Sequence, residues 1–109
     1  MANIDNMAAA AYAISKNNGF WDGEVDIHFL LSKLALIHSE VSEVLEALRK
    51  EKGSEEVVLE LSDIFIFLVD FYEGAKQAGW IDTCSSLGDT IDKKMSFNAS
   101  RPRKHGNLA

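Results

Sequence analysis

Residues 57–72 are apolar at almost every position, and the exceptions are acids. Val57, Val58, Leu59, Leu61, Ile64, Phe65, Ile66, Phe67, Leu68, Val69, Phe71 and Tyr72 form the run, with Glu60, Asp63 and Asp70 set into it. A short apolar run also suits a buried strand. Residues 55–78 lack proline, however, and Glu60, Asp63, Asp70 and Gly74 recur at helical spacing, so the pattern predicts a helix. A helix apolar all round should be enclosed by other elements, and its acids with it. No basic residue lies within a turn of Glu60 or Asp63 to neutralise them.

Three more helices are expected around this one. Residues 3–16 place Ile4, Met7, Ala8, Ala11 and Ile14 near one face, and Asn17-Asn18-Gly19 is a stop signal. The loop GFWDG follows, with Phe20 and Trp21 either plugging one end of the fold or stacking on a base. Asp26 suits the N-cap of a helix over residues 27–51. Its main apolar face holds Ile27, Leu30, Leu31, Leu34, Ile37, Val41, Leu45 and Leu48, while Glu40 and Glu43 fall on the other side beside Leu36 and Ala47. A helix apolar on two sides is expected to be covered twice, by a subunit interface or a second layer.

Lys52-Gly53-Ser54 breaks that helix. The next begins near Ser54 with half a capping box, since Val57 stands where Glu or Gln would complete it. Gly79 ends it. Asp82 or Thr83 can cap a last helix reaching about residue 97, with Cys84, Leu87, Ile91 and Met95 turned inward. The expectation is an all-α four-helix bundle, a single domain over residues 1–109 with a polar, basic tail from about residue 98.

Composition narrows the function. A 47% hydrophobic content argues for a folded domain, and a formal charge of −6 argues against a nucleic-acid polymer as partner. Five of the 11 Lys and Arg cluster late in the chain, as Lys93, Lys94, Arg101, Arg103 and Lys104. Cys84, the single cysteine, leaves no internal disulfide and fits a reducing cytoplasm. No signal-peptide pattern is visible, and the apolar run is too short and too acidic to cross a membrane.

The candidate chemistry lies in two pairs of acids, each at i, i+3: Glu40 with Glu43, and Glu60 with Asp63. An antiparallel pairing of their helices would bring four carboxylates together. Two unit charges about 4 Å apart repel by roughly 4 kcal/mol at an effective dielectric near 20. Several such pairs rival the whole stability of a small domain, typically about 5–15 kcal/mol. The cluster therefore needs protons, solvent or cations. All-oxygen ligation suits Mg²⁺, with Mn²⁺ as a substitute, and Mg²⁺ is commonly completed by substrate phosphates. The alternative is four acids facing solvent. The basic end could meet distal phosphates, since Lys94 and Asn98 share a face at i, i+4, and Arg101, Lys104 and His105 follow in a tail able to fold over.

The E-x-x-E, spacer, E-x-x-D pattern, here Glu40-Val-Ser-Glu43 and Glu60-Leu-Ser-Asp63, resembles the MazG-like all-α nucleoside triphosphate pyrophosphohydrolases. GFWD, KLALIHSEVSEVLEALR, ELSDIFIFLVD and KMSFNASRPRKHG are similar to segments of small bacterial and phage members, so the likeness spans most of residues 12–106. It implies a four-helix core assembled as a dimer or a tetramer of dimers. It also implies Mg²⁺-dependent hydrolysis between the α- and β-phosphates, giving a nucleoside monophosphate and pyrophosphate.

By position, Glu40, Glu43, Glu60 and Asp63 would be metal ligands. Lys94, Asn98, Arg101 and Lys104 would hold phosphate or sugar groups, with Trp21 and Lys33 also on the substrate. Glu40 is favoured as general base, with Glu43 its rival. His38 and Asp70 match too, the first expected to pack beside the apolar face and the second to lie behind the ligands. Relatives often follow His-Gly with more Gly and Lys, whereas Asn107-Leu108-Ala109 stands here. The resemblance favours a deoxynucleoside triphosphate, dCTP ahead. Two rivals remain: a nucleotide- or metal-responsive binding module with little turnover, and a plain helical dimerisation domain.

Overall fold

The computed structural model describes residues 3–103. Four helices account for most of them: α1 (Ile4–Asn17), α2 (Ile27–Arg49), α3 (Ser54–Gln77) and α4 (Leu87–Ser100). No strand occurs among the described residues, so the apolar run is helical. The helix starts follow local chemistry. Asn3 and Asp26 accept from the backbone N–H of Asn6 and Phe29, each at 2.8 Å, and cap α1 and α2.

Two starts differ from expectation. Gly53, at φ 96°, stands at the N-cap of α3 and Ser54 falls inside the helix; no side chain caps it, and Glu55 and Glu56 in the first turn offset the positive helix end instead. α4 begins later than Asp82 or Thr83 would have it. The Thr83 hydroxyl donates to the Ser85 carbonyl at 3.0 Å, which holds a turn, and Ser86 caps the helix by accepting from Asp89 N–H at 3.1 Å. Asp5 of α1 adds a second cap, accepting from the Gly88 N–H at 3.3 Å on both oxygens. A Cβ on Gly88 would sit 2.6 Å from Asp5 Oδ2, so this close approach suits glycine.

α3 is the centre of the fold. α1 and α2 both pack on it, and α4 lies against α1. The core gathers Trp21, Leu30 and Ala75, ringed by Tyr12, Val25, Phe29, Phe71 and Ile81. Trp80 ties the segment after α3 to the loop before α2, its indole N–H donating to the Val25 carbonyl at 2.8 Å.

Enclosure of α3 stops halfway, contrary to expectation. Val69, Asp70, Glu73, Gly74 and Ala75 are buried, whereas Val58, Leu59, Phe65 and Leu68 are exposed. α2 shows the same imbalance. Its side toward α3 is the stripe Leu30, Lys33, Ile37, Glu40, Val44 and Ala47, buried or half-buried at alternating steps of three and four. Its more apolar stripe, Leu31, Leu34, Val41, Leu45 and Leu48, is exposed. His38 is exposed rather than packed, and Cys84 and Met95 are exposed rather than turned inward, because α4 meets one neighbouring helix only. No described helix is long and apolar enough to cross a membrane.

Candidate functional site

The antiparallel α2–α3 pairing sets Glu40 opposite Asp63 and Lys33 opposite Asp70 along one seam. At the first of these levels, single oxygens of Glu40, Glu60 and Asp63 lie within 4.8 Å of one another. Glu43, one turn along α2, acts on the protonation of both Glu40 and Glu60. The four acids singled out from the sequence therefore meet. Glu40 and Glu60 are half-buried, and Glu43 and Asp63 are exposed.

Electrostatics mark the cluster as incomplete. Desolvation raises the Glu40 pKa above its ordinary value, helped by a hydrogen bond that a protonated Glu40 donates to Glu43 and by the charges of Glu43 and Asp63. Glu60 is pushed up to about 7, first by desolvation, then by hydrogen bonds with Glu56 and Glu43 and by their charges. Glu60 Oε2 is out of solvent with no donor. Two carboxylates bond to each other only through a shared proton, so Glu60 gains a partner among the acids only when one of them is protonated. Among the described residues, no Lys or Arg forms an ion pair with the four acids, since Arg49 and Lys50 both pair with Glu46.

Solvent, a proton or a cation can offset this repulsion, and the three converging carboxylates are a donor set that could hold a hard divalent ion. Octahedral Mg²⁺ with bonds of about 2.1 Å needs ligand atoms no more than about 4.2 Å apart, so oxygens lying within 4.8 Å of one another would close in slightly around it. Glu56 was not foreseen. The signal was present, since Glu56 lies four residues before Glu60 on the same face. Lys52 was also missed; with Ser42, Glu43, Glu46, Ala47 and Glu60 it lines a hollow of ≈ 220 Å³ beside the cluster. It comes from the loop between the helices, where periodicity says nothing.

At the second level, Trp21 is 7% exposed. Its N–H donates to Asp70 Oδ1 at 2.9 Å, and its ring meets Tyr12 edge-on at 5.7 Å and Phe29 at 5.5 Å. A Cβ on Gly74 would overlap the ring. The base-stacking expectation for Trp21 is corrected: the indole is a core plug, and Phe20 is the exposed ring of the loop. Asp70 stands behind the indole, 5% exposed. Lys33 Nζ donates to the Phe20 carbonyl at 2.8 Å and lies 4.5 Å from the Trp21 ring centroid and 5.2 Å from that of Phe29. Desolvation lowers the Lys33 pKa, partly offset by the charge of Asp70.

The basic end lies elsewhere. Lys94 and Asn98 are exposed on α4, which packs on α1 and not on α2 or α3. Lys94 and Arg101 flank the Phe97 ring at 5.1 and 5.4 Å. One chain thus brings Lys33 to the acid seam but not Lys94, Asn98 or Arg101. Lys104 and His105 lie outside the described residues. No protein family matches the chain, nor does any curated protein or any solved structure.

Proposed function

We propose that the protein is a Mg²⁺-dependent nucleoside triphosphate pyrophosphohydrolase of the MazG-like four-helix type, converting a (deoxy)nucleoside triphosphate to the monophosphate and pyrophosphate. The observation that carries this reading is the meeting of Glu40, Glu60 and Asp63 oxygens beside a Glu60 oxygen with no donor. Solvated surface acids diverge; these converge, and desolvation with neighbouring like charge raises the pKa of Glu40 and of Glu60.

Glu40, Glu43, Glu60 and Asp63 would hold Mg²⁺, or Mn²⁺ in its place. When bound, such an ion would supply Lewis-acid stabilisation of the charge that develops on the α-phosphate. Glu40 takes the proton of the attacking water, with Glu43 as the other candidate. The water oxygen bonds to the α-phosphorus, the bond to the α,β-bridging oxygen breaks, and that oxygen leaves with pyrophosphate. Lys94, Asn98, Arg101 and Lys104 would steady the leaving phosphates. Because α4 lies on α1, a second copy of the chain supplies them in this reading. The exposed stripes of α2 and α3 support such a homodimer or homotetramer. A deoxynucleotide substrate and a cytoplasmic location belong to the same reading.

Glu43→Ala and Asp63→Ala test it. With Mg²⁺ and a deoxynucleotide panel, each should cut pyrophosphate release by about a hundredfold or more, about 2.7 kcal/mol of barrier. Near-normal turnover in either variant removes the metal cage from the reaction. The separation of α4 from the acids favours one rival, a non-catalytic nucleotide- or metal-responsive helical module. Mg²⁺-dependent thermal stabilisation without pyrophosphate among the products would select that rival.

A further inference from the structure

We propose that Lys52, in the loop between α2 and α3, seats the outer phosphates of the substrate in the hollow beside the acid cluster. The inference rests on the hydrolase reading above. It adds a residue that belongs neither to the acid pairs nor to the basic end of the chain.

The backbone fixes where Lys52 stands. Helix α2 ends in a paired turn, in which the Glu51 N–H donates to the Leu48 carbonyl at 3.1 Å and the Lys52 N–H to the Ala47 carbonyl at 3.0 Å. Such a turn favours glycine at its left-handed position. Glu51 stands there instead at φ 50°, the one non-glycine residue with positive φ among the described residues. Gly53 follows at φ 96°, so Lys52 is held between two left-handed residues. It lines two hollows at once. One, of ≈ 440 Å³, offers Leu48, Val57 and Val58 to its methylene stem. The other, of ≈ 220 Å³, is the hollow beside the cluster.

The charges of that smaller hollow decide what it can hold. Glu43, Glu46 and Glu60 are its acids. Glu46 is already paired, with Arg49 at 3.4 Å and Lys50 at 3.7 Å. Glu43 and Glu60 belong to the metal cage in the hydrolase reading, so a divalent ion answers their charge. The Lys52 ammonium makes no ion pair or hydrogen bond among the described residues. With the cage loaded it is the unanswered charge of the wall, and an anion is its natural partner. Pockets for drug-sized ligands start at roughly 300 Å³, so a hollow of ≈ 220 Å³ suits a group of a larger ligand rather than a whole nucleoside. Mg²⁺ held by carboxylates is commonly completed by substrate phosphates, which brings phosphate to the edge of this hollow. Lys94 and Asn98 do not compete for it within one chain, because α4 packs on α1.

The test is calorimetric titration of the full chain with pyrophosphate in the presence of Mg²⁺, beside kinetics on the deoxynucleotide panel. The unaltered protein should bind pyrophosphate saturably. Lys52→Met should weaken that binding about tenfold or more, and Lys52→Arg should keep it within about threefold. Lys50→Met, an equal loss of charge two residues away, should also keep it within about threefold. Deoxynucleoside monophosphates, which lack the outer phosphates, should bind the unaltered protein and Lys52→Met alike. Helicity and the unfolding midpoint should not move, since Lys52 is exposed. In hydrolysis, Lys52→Met should raise KM about tenfold with kcat within about threefold, the mark of lost substrate binding. Equal pyrophosphate binding with and without Lys52 overturns the proposal. So does an equal loss in Lys50→Met, which would mean that bulk charge alone is at work. No pyrophosphate binding at all also overturns it, and hydrolysis would then keep the enzyme reading. Pyrophosphate binding that depends on Lys52, with no nucleotide hydrolysed, would sink the enzyme reading and leave Lys52 as an anion seat.

Discussion

The two halves of α3 have nearly the same apolar content and opposite fates. From Val69 to Ala75 the helix is buried between α1 and α2, and Trp21 closes over Gly74. From Ser54 to Leu68 no residue is fully buried, and Leu59 is 64% exposed. The first half is a core that one chain completes. The second carries the converging acids on its covered side and bare leucine and phenylalanine on the other. The core and the candidate acid cluster are thus separated along a single helix, and the cluster lies in the half that lacks cover.

Substitutions in the two halves should separate accordingly. The largest effect belongs to Trp21→Ala, which empties the plug; it should cost about 3–5 kcal/mol in denaturant unfolding. A loss no greater than that of an exposed leucine would erase the distinction between the halves. Gly74→Ala comes next. The new methyl has no room against the Trp21 ring, so a loss of about 1–3 kcal/mol is expected, and a neutral result would mean the indole moves aside freely.

Glu60→Gln in the other half should act in the opposite sense and depend on pH. The raised Glu60 pKa means that its charged form disfavours the fold. That penalty is absent below the ordinary carboxylate value of 4.5 and complete above about 7. The metal-free protein should therefore lose stability as pH rises through that window, and Glu60→Gln should flatten the loss. A pH profile unchanged by the substitution would remove Glu60 from the strained cluster.

The smallest effect is expected at the bare faces. Leu45→Ser with Leu59→Ser should change the stability of the dilute single chain by no more than about 0.5 kcal/mol, because both side chains are already in water. Self-association at higher concentration, read by sedimentation, should fall sharply. If it does not, these stripes are not what a second copy covers.

Much of the local structure was legible because it is written in neighbouring residues. The Asn17-Asn18-Gly19 stop and the Asp26 cap stand where spacing placed them, since caps and periodicity act over a few residues. The start of α4 was misread because Thr83 and Ser86 are both good caps, and the Thr83–Ser85 turn decides between them. The acid pairs were legible for the same reason as the helices, and so was Glu56 beside Glu60, yet Lys52 entered only through the hairpin. Trp21 shows the limit most clearly. Nothing within GFWDG distinguishes a ring that stacks on a ligand from one that plugs the core; Asp70 and Gly74, some fifty residues on, settle it.

The sequence by itself determined four helices and the faces that carry acid, because both follow from interactions a turn or two long. The tertiary structure alone decided which of the two α2 stripes turns to α3, which half of α3 is covered, and that Lys33 and Asp70 stand opposite along one seam. Those outcomes depend on how helices distant in sequence share a limited area of contact, and no window of neighbouring residues contains that competition.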